Sequence, residues 1–270
     1  MNIFFRELRA NLKSLIIWGV IVILFVWVGV SKFSAYYNNP EMLDVVKALP
    51  PAMVAAFGLE GVFNLTTVTG FFGLMFGYYA LLLSIAAVMW GSDIISKEER
   101  DKTVEFSLTL PVTRGRLVSA KALAALVNCI LLLLITWGIS LVSAQRYQPD
   151  STFYSFLPWT ILALFIMQLI FLAVGIFLGC AMKRYKLAGA VAVAVLLGTY
   201  FLSFIVALNK DLDFLKYFSP FKYFDAGMML KGVMQNESKF DLAFVGLSLV
   251  IILACMAGAY VTYARRDLTI

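Results

Sequence analysis

Residues 158–180 read PWTILALFIMQLIFLAVGIFLGC, and none of them is Asp, Glu, Lys or Arg. A helix needs about 20 mainly apolar residues to cross the hydrocarbon core of a bilayer. This run has that length and carries no charge that would have to face lipid. It therefore predicts a membrane-spanning helix.

Five further runs have the same apolar character. The six predicted spans are 15–31, 67–90, 122–143, 158–180, 187–208 and 242–262. None of them contains an Asp, Glu, Lys or Arg. Proton-coupled and ion-coupled carriers usually place ionisable groups near the middle of the membrane, so such a carrier is disfavoured. We predict an all-α integral membrane protein, with residues 1–270 forming a single transmembrane domain.

The overall composition excludes a soluble enzyme. Hydrophobic residues make up 62% of the chain and charged residues only 14%, whereas a soluble domain carries about 25% charged residues. Histidine is absent, which excludes Ser-His triads and imidazole-bound metals. The net charge of +6 does not predict nucleic-acid binding, because the basic residues are scattered along the membrane edges.

The basic residues also predict the orientation. With six spans, both termini lie on one side of the membrane, and that side carries 14 of the 22 Lys and Arg residues. These are Arg6, Arg9, Lys13, Lys97, Arg100, Lys102, Arg114, Arg116, Lys121, Lys183, Arg184, Lys186, Arg265 and Arg266. Because short cytoplasmic segments are enriched in Lys and Arg, we predict that both termini are cytoplasmic.

Residues 1–14 precede the first span and are amphipathic. Phe5 and Leu8 fall on one helical face, while Arg6 and Arg9 lie largely elsewhere. This pattern predicts an N-terminal helix in the membrane interface. Such a helix would either anchor the chain to anionic lipid or offer a docking surface to a cytosolic partner.

The cytoplasmic connection after the second span combines charges with an apolar edge. Ser96 is followed three residues later by Glu99, which is the spacing of a capping box and predicts a helix that begins at Ser96. Apolar residues then continue to Pro111, which cannot extend a helix. We predict a helix over 96–110 at the membrane surface.

This connection resembles the signature of ABC-2 type transporter permeases. The residues that carry the resemblance are Glu98, Glu99, Arg100, Thr103, Glu105, Leu108, Leu110, Pro111 and Arg114, with Lys121 opening the next span. A second similarity is the external stretch from Phe218 to Asp225, which looks like the Ser-Pro-Phe motif before the last span of these permeases. The resemblance extends over the whole chain.

The resemblance implies that 96–110 is a coupling helix that docks on a separate cytosolic ABC ATPase. The residues expected to couple to the ATPase are Glu98, Glu99, Arg100, Lys102, Thr103, Glu105, Phe106, Leu108, Pro111 and Arg114. The N-terminal helix, through Phe5, Arg6, Leu8 and Arg9, would add a second contact. The family further implies two ATPase copies, a second permease copy or relative, and export across a bacterial cytoplasmic membrane.

ATP and Mg²⁺ would then be bound by the partner ATPase. A Walker A loop needs a Gly-Lys pair to hold phosphates, and none of the 18 glycines here is followed by Lys. No catalytic, cofactor or metal site is therefore expected in this chain.

The external segments 32–66 and 209–241 are longer than turns. Within them, 40–58 and 212–232 carry apolar residues at near-helical spacing, and we predict short helices there that either cap the exit or anchor at the interface. The residues expected at an external gate are Phe218, Pro220, Phe221, Tyr223, Phe224 and Asp225.

Polar and small residues within the spans predict helix packing. Asn128 and Gln168 are expected to form interhelical hydrogen bonds rather than line a pathway. Small residues recur at four-residue spacing, which lets helices approach closely and favours packing within the chain over a seam between two copies. They are Gly73 and Gly77, Gly175 and Gly179, Ala190, Ala194 and Gly198, and Ala254 and Gly258.

The sequence also bears on three other classes of protein. An intramembrane protease is disfavoured, because histidine is absent and Asp93 and Asp225 are predicted on opposite faces of the membrane. A secondary carrier would show inverted repeats with broken helices, and none is evident in the sequence. A scaffold or sensor that keeps the permease fold without moving cargo stays open at this point.

Overall fold

The computed structural model describes residues 3–39, 41, 48, 64–100, 113–182 and 184–266. Two 3₁₀ helices, Lys210–Phe218 and Pro220–Lys222, precede a short α-helix at the end of the bundle predicted to face outwards. No strand occurs in these described ranges. The α-helices are α1 (Ile3–Phe33), α2 (Val68–Arg100), α3 (Arg114–Gln145), α4 (Ser151–Ala181), α5 (Tyr185–Leu208), α6 (Ala226–Met234) and α7 (Leu242–Arg265).

Six of these helices, all except α6, are long and apolar enough to cross a membrane. Each predicted span falls within one of them, apart from Thr67, which lies one residue before α2. The helices extend beyond the apolar runs because a helix ends at a cap or a breaker rather than where its side chains become polar. The chain is a multi-pass membrane protein.

The predicted N-terminal helix and the first span form one continuous helix, α1. It has 31 residues, which at 1.5 Å per residue is about 46 Å, well beyond a 30 Å hydrocarbon core. No proline or glycine separates residues 3–14 from 15–31. Its first turns therefore extend out of the core as part of the spanning helix, without the predicted boundary at residue 14.

Helix α4 starts two turns before the predicted span 158–180. The side chain of Asp150 caps it by accepting a hydrogen bond from the Phe153 amide at 3.1 Å. Pro158 lies inside the helix, where its ring removes one backbone hydrogen bond without ending it. Asp150 also accepts a hydrogen bond from Thr69 Oγ1 at 3.1 Å, which joins the outer ends of α2 and α4.

Helix α4 is the centre of the bundle and packs most extensively on α2. The two helices are parallel, since Phe72 contacts Phe153 near their first turns and Gly91 meets Gly175 near their last. A Cβ atom at Gly175 would lie 2.4 Å from the Val88 carbonyl oxygen. Glycine is therefore required for the main chains to approach this closely.

The predicted packing of small residues within the chain is confirmed at Gly175, Gly179 and Gly258. A Cβ atom at Gly179 would meet the main chain of α2, and one at Gly258 would meet the ring of Phe177. The prediction is wrong for the stripe on α5, where Ala190, Ala194 and Gly198 are exposed. Spacing alone does not distinguish a helix face turned towards its neighbours from one turned outwards.

Candidate functional site at the basic end of the bundle

The basic end of the bundle is the end where α2, α4 and α7 finish and α3 and α5 begin. It is the end predicted to face the cytoplasm. Residues 101–112, which hold most of the predicted coupling segment, connect α2 to α3 at this end and lie outside the described residues. A movement of that connection would therefore be passed to the bundle through the side chains that hold the neighbouring helix ends together.

A buried ion pair joins α1 to α3 at this end. Lys121 is 1% exposed and Glu7 is 6% exposed, and Lys121 Nζ lies 3.7 Å from Glu7 Oε1. Lys121 Nζ also donates a hydrogen bond to the Ile94 carbonyl oxygen of α2 at 2.6 Å. One ammonium group thus ties together the three helix ends that surround the connection 101–112.

Two neighbouring contacts extend this cluster. Trp90 Nε1 donates a hydrogen bond to Ser14 Oγ at 2.9 Å, which joins α2 to α1 one turn or more deeper in the membrane. Arg6 Nη2 lies 3.6 Å from the carboxylate of Glu7, so a second cation offsets the charge of that buried group. We call Glu7, Ser14, Trp90 and Lys121 the basic-end cluster.

Two arginines hold the ends of helices at the same face. Arg114 Nη1 donates to the carbonyl oxygens of Tyr263 at 3.2 Å, Ala264 at 3.3 Å and Arg266 at 2.7 Å, at the end of α7. The buried Arg266 donates in turn to Gly179 at 2.9 Å and Cys180 at 3.2 Å, at the end of α4. Cations are favourable there because terminal carbonyls lack partners within their own helix.

The predicted coupling residues divide into three groups. Glu98, Glu99 and Arg100 form the last turn of α2. Arg114 opens α3 and binds the end of α7 instead of pointing freely into solvent. The remaining residues, Lys102, Thr103, Glu105, Phe106, Leu108 and Pro111, lie outside the described residues.

The cap predicted at Ser96 is wrong. Helix α2 continues through this position to Arg100, and Ser96 Oγ donates to the Ser92 carbonyl oxygen at 2.8 Å, one turn earlier in the same helix. A serine inside a helix commonly makes this bond. The capping-box pattern failed because no break in the helix precedes it.

The N-terminal residues expected to contact a partner lie on the first turns of α1. Phe5 is 59% exposed and Arg9 is exposed, whereas Arg6 and Leu8 are half-buried. Sequence reasoning missed Glu7 as the buried residue of this segment. The only signal was a carboxylate among basic residues, and that signal also fits an exposed helix face.

Phe221 and Tyr223, two of the residues predicted at an external gate, pack against three spans, and we call them with their ring partners the aromatic lock. Phe221 packs on Phe171 of α4 and Tyr200 of α5, with ring centroids 5.2 Å and 5.1 Å apart. Tyr223 stacks on Phe244 of α7 at 5.2 Å. Because these partners belong to membrane-spanning helices, the segment dips into the bundle rather than lying across its outer surface.

The polar residues of this segment shape its backbone. The buried Ser219 donates to the Thr199 carbonyl oxygen of α5 at 2.7 Å, and Asp225 caps α6 by accepting from the Met228 amide at 2.8 Å. Burial raises the pKa of Tyr223 to about 12, and its hydroxyl donates to the Tyr217 carbonyl oxygen. Short helices are present over 210–234, as predicted.

The remaining gate residues lie in different surroundings. Pro220 and Phe224 are buried, and Phe224 contacts Phe240 at 5.5 Å. Phe218 is 67% exposed. The structure therefore brings Pro220, Phe221 and Tyr223 into the bundle and leaves Phe218 outside. The other predicted external helix, 40–58, lies almost wholly outside the described residues.

Three buried polar side chains, Ser84, Asn128 and Gln168, lie within the spans α2, α3 and α4. Gly91 of α2 meets Gly175 of α4, so each residue of α2 in this region lies opposite the α4 residue whose number is higher by 84. Two turns further out, Ser84 of α2 therefore faces Gln168 of α4. Asn128 belongs to α3, which packs on both of these helices.

The hydrogen bonds predicted for Gln168 are absent. Both amide atoms of Gln168, the amide nitrogen of Asn128 and the hydroxyl of Ser84 are buried without a protein partner. Other hydroxyls within the spans, such as those of Thr136 and Thr160, donate to the carbonyl oxygen four residues earlier. The glycine contacts of α2 and α4 set the spacing of the helices, and at that spacing the amide of Gln168 meets no partner.

Replacing Gln168 with leucine is expected to stabilise the protein by about 1–3 kcal/mol, because a buried amide without partners carries a desolvation cost. Unfolding in mixed detergent micelles measures the change. The control is Gln145→Leu at the exposed end of α3, which should change stability by less than about 0.5 kcal/mol. A loss of stability in Gln168→Leu would contradict the prediction and indicate that water satisfies the amide.

Comparison with known proteins agrees with this architecture. The profile of the family described as ABC-2 family transporter protein matches residues 1–268. No curated protein matches the chain. The fold defines a multi-pass, all-α membrane protein with its charged network at one end. The chain belongs to the ABC-2 transporter family, whose members are membrane transport components.

Proposed function

We propose that the chain is the permease subunit of an ATP-driven exporter in the bacterial cytoplasmic membrane. Two copies, or this chain and a relative, would form the translocation path. Each would bind one cytosolic ABC ATPase through the segment 96–110 and the N-terminal turns of α1. ATP and Mg²⁺ would be bound and used by the ATPase.

The observation that carries this proposal is the basic-end cluster. Lys121 of α3 forms an ion pair with Glu7 of α1 and a hydrogen bond to Ile94 of α2, beside the connection that holds most of the predicted coupling segment. A displacement of that segment by an ATPase would be passed to three helices together. Packed elements of this kind respond by moving as units, which is how domain movements are transmitted through a bundle.

Movement would reach the outer end through α4. Arg114 and Arg266 connect the start of α3 to the ends of α7 and α4, and Phe171 of α4 contacts Phe221 in the aromatic lock. We infer that the lock closes the exit in one state and separates when α4 shifts against α5 and α7. ATP binding would then bias two arrangements of the bundle.

Co-purification tests the central claim. The chain is expressed with its ABC ATPase and purified through a tag on the permease alone, and the ATPase retained per permease is measured along with ATP hydrolysis. We expect Glu98→Ala/Phe106→Ala to weaken retention at least tenfold, since truncating two interface contacts worth more than about 1 kcal/mol each has that effect.

The matched control makes the same two changes at the opposite end, in Glu237→Ala/Phe214→Ala. Both side chains are exposed on the outer segment, and retention should equal that of the unmodified chain. If the unmodified chain retains no ATPase in nanodiscs, the proposal fails. A permease fold without transport, as a scaffold or sensor, or an ATP-independent carrier would then explain the chain.

A further inference from the structure

An open apolar trough lies between α3, α4 and α7 on the half of the bundle nearest the basic end. It has a volume of about 360 Å³. The trough forms because α3 and α7 both pack on α4 but contact each other little. Its sides and floor are apolar and include Leu123, Leu126, Leu172, Ile176, Ile252 and Met256.

The end of the trough nearest the basic end is polar. Ser119 Oγ and the Tyr260 hydroxyl lie 2.7 Å apart and close it. Ser119 also donates to the Gly115 carbonyl oxygen at 3.0 Å, so the proton shared by the pair comes from Tyr260. Arg116 lies one helical turn before Ser119 on the same face of α3, and its side chain is exposed.

The length of the trough suits the acyl chain of a lipid. From Ser119 to Leu126 the lining rises along α3 by seven residues, or about 10 Å of the roughly 15 Å depth of one leaflet. Beyond Ser119 and Tyr260 every lining residue is apolar. An acyl chain of the same leaflet can therefore lie along the trough.

Charge indicates which lipid is bound. Arg116 lies where the headgroup of a lipid seated in the trough would emerge, and the exposed Arg265 ends α7 at the same face. Basic side chains at a membrane surface attract anionic headgroups.

We propose that this trough binds one acyl chain of an anionic phospholipid, whose phosphate pairs with Arg116. The proposal needs the membrane location of the chain and does not depend on coupling to an ATPase. The site is separate from the external lock and from the basic-end cluster, since its lining contains none of their residues. It faces the bilayer, where such a lipid is abundant.

Photolabelling tests the site directly. The full chain is placed in nanodiscs with equal parts of phosphatidylglycerol and phosphatidylcholine, and one lipid at a time carries a diazirine on its acyl chain. Mass spectrometry locates the adducts. We expect labels on the facing residues of α3, α4 and α7, about fivefold more from phosphatidylglycerol, which is the preference expected from one basic residue at the surface.

Two pairs of variants test the binding of the acyl chain and the binding of the headgroup separately. Ala122→Phe fills the trough and should reduce labelling several-fold, whereas Ala190→Phe on the exposed face of α5 should not. Arg116→Gln should remove the preference for phosphatidylglycerol and keep the adduct positions, whereas Arg146→Gln at the other end should change neither. Ile252→Phe fills the trough from α7 if Ala122→Phe does not fold.

Two results would overturn the proposal. One is equal labelling of the filled variants and the unmodified chain, which would show that the adducts come from lipid outside the trough. The other is an efficient disulfide between two copies carrying Leu123→Cys in the same nanodiscs, which would make this face a protein interface. Equal labelling by both lipids would overturn the assignment of the headgroup.

Discussion

Replacing Lys121 with methionine is expected to lower the free energy of unfolding by about 3–5 kcal/mol, because it leaves a buried carboxylate without its main partner. Lys121 is 1% exposed and lies 3.7 Å from Glu7, which is itself buried. The variant also loses the hydrogen bond to the Ile94 carbonyl oxygen. Unfolding in mixed detergent micelles measures the loss. The lower end of the range applies if Arg6, which lies beside Glu7, offsets part of the charge of the carboxylate.

The double variant Glu7→Leu/Lys121→Met distinguishes a lost ion pair from a lost packing contact. With both charges removed, at least half of the stability should return, since apolar replacement of a buried pair is often close to neutral. Lys13→Met is the matched control on the exposed surface of α1 at the same end, and it should be nearly neutral. A double variant no more stable than Lys121→Met would contradict the ion-pair explanation.

Replacing Gly175 with alanine is expected to destabilise the bundle by about 2–3 kcal/mol, as overpacking of a tight core does. The new Cβ atom would lie 2.4 Å from the Val88 carbonyl oxygen and 3.0 Å from the Ser92 nitrogen. Both are main-chain atoms, so no side-chain rotation relieves the clash. Helices α2 and α4 would have to separate along the most extensive contact of the fold.

Gly198→Ala supplies the control for this prediction. No atom lies within 4 Å of a Cβ at Gly198, so the substitution should stabilise α5 by about 0.5–1 kcal/mol through helix propensity alone. Thermal unfolding of both variants in the same detergent compares them. If Gly175→Ala is as stable as Gly198→Ala, the close approach of α2 and α4 is not what holds the core together.

Much of the architecture could be predicted from composition and local pattern. Six apolar runs identify six spans because a bilayer demands length and an absence of charge, and both are readable along the chain. The short helices around the Ser219-Pro220 motif were also predictable. The helix boundaries were less predictable. Helix α4 already starts at Ser151, and α2 continues through Ser96.

The candidate site was harder to predict than the spans. Charge pattern and family resemblance both indicated the connection between α2 and α3, but neither indicated that Glu7 would meet Lys121. The two residues are far apart in sequence and sit just outside different apolar runs. A charge beside a span usually faces water or headgroups, so only the packing of α1 against α3 reveals this pair as buried.

The sequence by itself determined the class of this protein, its six spans and its predicted orientation, because hydropathy and the Lys and Arg bias act residue by residue. The tertiary structure alone decided which small residues carry the core and which polar groups are satisfied. Gly175 packs and Gly198 does not, although both sit in the same spacing pattern. Helix rotation and register distinguish them, and these depend on all neighbouring helices at once.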